Sequence, residues 1–373
     1  MVEECTKVPV VNIKFERLKR LVPGVKMKTI LDTLPFVGVD IEDVGKDLIR
    51  VEYNPNRPDL SSDYGVARGL RGLLDIEIGL PKFKLAGRSG VAVSIEDAAA
   101  IRRVRPYLVS LVAKNGKLDE ETLKQLIAMQ EDLHNGVGRK RRKASIGIHN
   151  LDVIKFPVTY KTVSGDYSFT PLDESSEFRV DHILRDLEIG KQYGHILSAF
   201  DRYPLIVDSV GTVLSFPPII NSQATKANDK CHNLFVEVTA TDQETAEDVL
   251  AILAMTLYDA GFEIKTVSIV NSGRNKKKIE TPQMKTKVIS ADISYVNSTL
   301  GLTLDTKQII TCLKKSRLDA KAAEGRKKIV YTIPRYRIDI SDPIDISEEV
   351  AIGYGIYNLK PKFPTSPTAG NRG

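Results

Sequence analysis

The chain has 373 residues, 42% hydrophobic and 27% charged, with a formal net charge of +6. Domains average roughly 100–200 residues, so two or three are expected, with the composition of an ordinary soluble globular protein. No apolar run approaches the ~20 residues of a membrane span, and the start, MVEECTKVPVV, lacks a signal-peptide core, so no membrane partner is expected.

Cys5, Cys231 and Cys312 are odd in number and widely spaced, which points to a reducing cytoplasm rather than a disulfide framework. The first block, residues 1–85, contains NPNRPDLSSDYGVARGLRGLL at 54–74. Residues before proline avoid the α region, so Asn54-Pro55 and Arg57-Pro58 are extended or turned. Asp59, Ser61 or Ser62 then caps a helix carrying Val66, Leu70, Leu73 and Leu74 on one face.

The second block, 86–275, opens its clearest helix at Asp119, with Leu123, Leu126, Ile127 and Leu133 inward and a stop at Gly136. Five basic residues follow at once: Arg139, Lys140, Arg141, Arg142 and Lys143. A second basic group is Arg274 with Lys276, Lys277 and Lys278. Clustered cations attract phosphate backbones, but a basic run taken alone more often marks a solvated helix end or linker.

Residues 144–148 and 234–240 read as strands, and Thr241-x-x-Glu244 as a capping box for a helix ending at Gly261. A further strand covers 263–270. Between the first two of these strands, Asp208-Ser209-x-Gly211 marks a hairpin with Ser215 at its far end. The stretch VLSFPPIINSQATK (213–226) breaks an apolar run with Pro217 and Pro218, neither of which can donate a ladder hydrogen bond. On the 234–240 strand, Phe235, Glu237 and Thr239 share a face. Glu237 there is either a pocket group or a solvent-facing carboxylate.

The third block, 280–362, reads as strand (284–291), helices (292–298 and 305–317), strand (328–334) and helix (345–355), a winged-helix-like order. Residues 363–373 form a proline- and glycine-rich linker, as if a further domain followed. The whole is an α+β, multidomain chain: a central mixed α/β domain flanked by a small N-terminal domain and a winged-helix-like C-terminal domain.

No phosphate-binding loop, nucleophile elbow or zinc-protease motif is present, and the five histidines lack metal spacing. One acidic group stands out. Asp345, Glu348 and Glu349 fall on one helical face, and Asp339 precedes a turn at Pro343 that folds it back toward them. Such a set either holds Mg²⁺ or complements a helix N-terminus.

NPNRPDLSSDYGVARGLRG, RKASIGIHNLDVI, VLSFPPIINS, VEVTATD and YRIDISDPIDISEEVAIGYG occur in that order. Together they resemble the β subunit of phenylalanyl-tRNA synthetase of the archaeal and eukaryotic type, over essentially the whole chain. The resemblance implies an N-terminal domain, an editing (B3/B4-like) domain and a B5-like domain. It also implies a missing catalytic-like domain that pairs with an α subunit in a heterotetramer of two α and two β.

It further implies hydrolysis of tyrosine wrongly esterified to phenylalanine tRNA, in support of phenylalanyl-tRNA aminoacylation. A pocket shaped for phenylalanine rejects an isostere with one added hydroxyl by only ~10²-fold, so a second site is needed. By resemblance Ile206, Ser215, Glu237 and Thr239 form the editing pocket, with Leu and Asp in archaeal relatives where this chain has Ile206 and Glu237. Glu237 would accept the tyrosine hydroxyl. Asp339, Asp345, Glu348 and Glu349 match positions given to Mg²⁺ shared with the α subunit. ATP belongs to the holoenzyme only. Two rival readings are a non-catalytic scaffold or tRNA-binding portion of the same synthetase, and a free-standing deacylase.

Overall fold

The structure is a computed structural model that describes residues 8–271, 278–323 and 327–360. Cys5, Arg274, Lys276, Lys277 and the 363–373 linker lie outside those residues. Among the described residues, no helix is long and apolar enough to cross a membrane.

The N-terminal part contains β1 (Val10–Lys14), α1 (Phe15–Leu21), α2 (Met27–Val37), β2 (Val39–Val44), β3 (Leu48–Tyr53) and α3 (Asp63–Leu73). β3 lies between β1 and β2, antiparallel to both, and Ile13, Leu34, Ile49 and Leu70 pack in its core. Of the three candidate caps, Ser62 caps α3: its side chain accepts from Gly65 N–H at 3.3 Å. Asp59 is instead engaged by Arg57, at 2.8 and 3.0 Å.

The central part runs through β4 (Arg88–Ile95), α4 (Ala98–Val104), β5 (Tyr107–Lys114), α5 (Glu120–Asn135), β6 (Ala144–Asn150) and β7 (Val158–Val163). A small pair follows, β8 (Ser168–Phe169) with β9 (Phe178–Arg179), then α6 (Val180–Asp186) and α7 (Glu188–Tyr193). It closes with β10 (Tyr203–Val207), β11 (Val213–Phe216), β12 (Ile220–Asn221), β13 (Leu234–Ala240), α8 (Gln243–Asp259), β14 (Glu263–Asn271) and β15 (Lys278–Thr281). One mixed sheet orders these as β12-β11-β10-β7-β4-β14-β5-β13-β6, with β15 added to β14. β4 is parallel to both β14 and β7.

Asp119 caps α5 as expected, accepting from Thr122 N–H at 2.8 Å. Ile127 does not face inward: it is 52% exposed, while Leu126, Met129 and Leu133 fill the apolar stripe. One residue turns 100° around a helix, so Ile127 leaves the stripe its neighbour Leu126 occupies. Asp242 rather than Thr241 caps α8, accepting from Thr245 N–H at 2.9 Å. The central sheet also passes the expected boundary at 275, because Thr281 pairs with Val267.

The C-terminal part holds β16 (Lys287–Asp292), α9 (Ile293–Leu300), α10 (Thr306–Lys315), β17 (Asp319–Ala322), β18 (Lys328–Ile333) and α11 (Pro343–Tyr354). Its sheet order is β16-β18-β17. β17 has no sequence signal, since DAKA contains no β-branched or aromatic residue; pairing with β18 makes it a strand.

Buried charges bind the three parts together. Arg17 of α1 pairs with Asp63 and reaches Thr122 of α5 at 3.1 Å. Arg68 of α3 pairs with Asp259 of α8 at 2.7 Å and lies 4.6 Å over the Tyr336 ring. Gly72 of α3 meets the third part so closely that a Cβ there would overlap the Lys315 carbonyl oxygen.

Candidate functional site

Asp208 turns the hairpin between β10 and β11, its Oδ1 accepting from Val210 and Thr212 N–H at 3.0 and 2.8 Å. The expected break at Pro217-Pro218 is a reversal, not an end. Ile219 N–H donates to Phe216 O at 2.7 Å, and β12 pairs back on β11, Ser215 opposite Asn221. Proline suits this place because the ladder asks no donor of a turn residue. The freed carbonyl of Ile219 accepts from Arg141 Nη1 at 2.8 Å.

β13 runs between β5 and β6, and all seven of its residues are buried. The solvent-facing reading of Glu237 is therefore overturned: the residue is 2% exposed. Ser215 Oγ donates to Glu237 Oε1 at 2.8 Å, while Glu237 Oε2 is buried without a partner. Both residues line a cavity of about 240 Å³ that the proline turn, from Phe216 to Asn221, walls on one side. That is below the ~300–1,000 Å³ typical of small-molecule pockets, a volume suited to one amino-acid side chain.

The other two expected pocket residues stand back from this cavity wall. Ile206 faces Ser215 across the ladder and packs with Leu214 and Phe235 in the core. Thr239 is held by Arg105 and Ser145, with Oγ1 2.9 Å from Arg105 Nε and 2.9 Å from Ser145 Oγ.

Arg105 has no sequence signal. It is 1% exposed and makes four hydrogen bonds, to Thr239 Oγ1 and O, Ser145 Oγ and Arg142 O, none of them to a carboxylate. Burial brings its pKa down to about 10, which the nearby Tyr160 and Glu237 only partly offset. Ser145 and His149, also unassigned from the sequence, lie with Gly147 on one face of β6. The alternation in ASIGIHN was the available signal.

The basic cluster is not one uniform block. Arg141 is buried: it lies 4.5 Å over the Tyr193 ring and pairs with Glu131 at 2.9 Å. Burial raises Glu131, yet the hydrogen bond from His134 and the charge of Arg141 outweigh it and hold the carboxyl at about 2. Burial pushes the His134 imidazole pKa down, and its Nε2 accepts from Ile146 N–H at 2.8 Å. Arg139, Lys140 and Arg142 are exposed and Lys143 half-buried, and with Thr241 they line an open basin of about 710 Å³. The loop thus plugs one cation into the cavity wall and presents four outside it.

The acidic cluster is an arginine clamp rather than an oxygen cage. Asp339 does fold back beside Glu349, but Arg337 binds both, with 2.9 and 2.6 Å to Asp339. Asp345 accepts from Ser341 and Asp342 N–H, both at 2.8 Å, as the α11 capping box. Burial raises Glu348, helped by the charges of Glu349 and Asp339. Among the described residues, no group of three or more His, Cys, Asp or Glu side chains is disposed to hold a metal ion. These residues as arranged do not fit Mg²⁺, because Arg337 takes Asp339 and Glu349 while Asp345 turns to the α11 N-terminus, so the four carboxylates do not converge on one cation.

Comparison with known proteins agrees with this architecture. The tRNA synthetase B5 domain family matches residues 289–356. The chain is 42% identical to the phenylalanine–tRNA ligase β subunit of Archaeoglobus fulgidus, over 97% of this chain and 64% of that protein. It is 37% identical to the β subunit of Methanococcoides burtonii, over 97% and 66% respectively. The chain thus spans just under two thirds of the length of these curated relatives. A crystal structure of an N-terminal fragment of the phenylalanyl-tRNA synthetase β subunit from Pyrococcus horikoshii superposes with a TM-score of 0.87 at 32% identity. It covers 93% of this chain and 99% of that one. With its three-part fold, its B5 domain and these relatives, the chain belongs to the phenylalanine–tRNA ligase β-subunit family.

Proposed function

We propose that this chain is the editing portion of a phenylalanine–tRNA ligase β subunit and hydrolyses tyrosine wrongly attached to phenylalanine tRNA. The observation that carries the reading is the buried Ser215–Glu237 pair on the cavity wall, with Glu237 Oε2 unpartnered. A phenol hydroxyl donating to that oxygen would satisfy it. Phenylalanine would leave it unpaired, which is how a polar site rejects the analogue lacking a hydroxyl.

The chain's residues supply position more than general acid–base chemistry. Ser215 orients the carboxylate, Arg105 fixes Thr239 and Ser145, and the proline turn walls the cavity. The basin of Arg139, Lys140, Arg142 and Lys143 supports contact with the phosphates of a tRNA acceptor end, because Arg141 of the same loop lines the cavity. In the full ligase, the α subunit, phenylalanine tRNA and ATP-dependent charging belong to this proposal as context. Mg²⁺ is not part of this proposal.

The test is deacylation of tyrosyl- and phenylalanyl-tRNA(Phe) by the purified chain at low salt. Selective release of tyrosine supports the reading, and no release at high enzyme overturns it. In that second case the chain is the rival scaffold or tRNA-binding portion. The buried ion pairs between its parts, Arg17–Asp63 against Thr122 and Arg68–Asp259, favour such a rigid support.

A further inference from the structure

His149 is fully buried at the end of β6, on the face that carries Gly147. Gly147 stands opposite Glu237 in the β6–β13 ladder. A Cβ on Gly147 would overlap both Glu237 Oε1 and His149 Nε2, so the carboxylate and the imidazole lean over the same bare stretch of backbone. Here the missing side chain makes room for two polar groups.

The hydrogen bonding in this niche is half complete. His149 Nδ1 lies 2.9 Å from Thr225 Oγ1, and Thr225 is itself fully buried. Thr225 reaches this place because the short turn after Ser222 docks on β6, where Lys226 bridges to His149 through the backbone. Glu237 Oε1 is taken by Ser215, whereas Glu237 Oε2 and His149 Nε2 are both buried without a partner. Two such atoms in one niche are unusual in a folded protein and point to a polar ligand.

The spacing states what ligand fits. His149 Nε2 is 3.9 Å from Glu237 Oε1, too far for a direct hydrogen bond. A hydroxyl lodged between the ring and the carboxylate can pair with Nε2 on one side and with Oε2, the carboxylate oxygen Ser215 leaves free, on the other. A carboxylate only accepts, so it serves only the donor half of a hydroxyl; a ring N–H serves the acceptor half.

We propose that His149 is a second recognition residue for the substrate's phenol hydroxyl, which donates to Glu237 and accepts from His149 Nε2–H. Thr225 donates its hydroxyl proton to Nδ1 and so places the ring proton on Nε2. The inference rests on the tyrosine-editing reading above and deepens it. A side chain without the hydroxyl then leaves two buried polar atoms unpaired instead of one, which sharpens discrimination beyond what Glu237 alone provides.

The test compares the parent chain with His149→Ala, His149→Gln and Thr225→Val. Each is measured for deacylation of tyrosyl-tRNA(Phe), and for binding of amide-linked, non-hydrolysable tyrosyl- and phenylalanyl-adenosine. His149→Ala should weaken tyrosyl-adenosine about ten- to hundredfold while leaving phenylalanyl-adenosine unchanged. His149→Gln, which keeps an N–H donor, should recover part of the loss. Thr225→Val should fall between parent and His149→Ala, because the ring is no longer held in one tautomer. Where His149→Ala fails to fold, His149→Gln and Thr225→Val carry the comparison. A parent that prefers tyrosyl-adenosine, with folded variants that keep the same preference, overturns the role of His149 and leaves editing standing. A parent with no preference overturns both.

Discussion

Tyr53 of the N-terminal part donates its hydroxyl to Asp132 of α5 in the central part, at 3.0 Å. The bond crosses the boundary between the two parts and does not fully offset the burial of the carboxyl. Burial, with the charge of Glu131, pushes Asp132 up from 3.8 to about 6. A carboxyl raised in the folded state stabilises the fold fully below its unfolded value, and that contribution is lost as pH rises toward 6. Asp132→Asn should therefore melt higher than the parent above pH 6, with the gap closing toward pH 4. Melting temperatures of both proteins between pH 4 and 8 check this. A gap independent of pH would show that Asp132 does not titrate in that window.

Glu237→Ala should lower kcat/KM for tyrosyl-tRNA(Phe) by about ten- to hundredfold, the cost of one lost hydrogen bond to a buried charged acceptor. Glu237 is 2% exposed with one oxygen unpartnered, so its removal also removes an unsatisfied buried polar atom, and the fold should survive. Paired deacylation and melting assays separate the two effects. Undiminished editing in the folded variant would remove Glu237 from recognition.

Arg105 donates to the Thr239 side chain and main chain and to Ser145, and Lys cannot copy this fork. Arg105→Lys should cost about 1–3 kcal/mol of stability through the unpaired groups it leaves. Deacylation should fall with it, because Thr239 and Ser145 lose their fixed positions. Urea denaturation and tyrosyl-tRNA turnover on the same preparation measure both. Retained stability would mean that water replaces the guanidinium without penalty.

Arg337 holds two acidic partners, Asp339 and Glu349, in the C-terminal part. Arg337→Ala should destabilise the chain by about 3–5 kcal/mol, the usual cost of orphaning a buried charge. Asp345→Ala removes only the N3 half of the α11 capping box and should cost about 0.5–2 kcal/mol, with deacylation unchanged. Chelator should leave the parent's melting temperature where it is, since the clamp needs no cation. A fall in melting temperature with chelator, restored by Mg²⁺, would reinstate the metal.

Arg142 is exposed at the rim of the basin, its Nη2 3.4 Å from His195 Nε2. If the basin holds RNA phosphates, Arg142→Gln should reduce the slope of log K against log salt by roughly one. Its effect on kcat at saturating tRNA should be small. Binding of phenylalanine tRNA at several salt concentrations reads the slope directly, and an unchanged slope would place the phosphates elsewhere.

Local rules were enough for much of this protein. Asp119 caps the helix it was expected to cap, Ser62 is the one of three candidates that caps α3, and the 234–240 strand has the bounds read from the sequence. The Asp208 hairpin also follows from its own turn residues. These features are written in neighbouring side chains, because caps, turns and periodicity act over a few residues.

What the tertiary structure alone decided is which charged and polar groups meet. Nothing in the sequence around Arg105 says that it will reach Thr239, 134 residues on, or that Arg141 will turn inward while its four basic neighbours stay out. The same spacing that put Asp345, Glu348 and Glu349 on one face was equally suited to a metal and to a capped helix. The choice fell to Arg337, which the fold delivers between Asp339 and Glu349. Glu237 could have faced solvent on the same alternating strand, until Ser215 of β11 and the proline turn after it covered that face. Burial is a property of the assembled sheet, and the energetic standing of a charge depends on burial and on the partners that packing supplies.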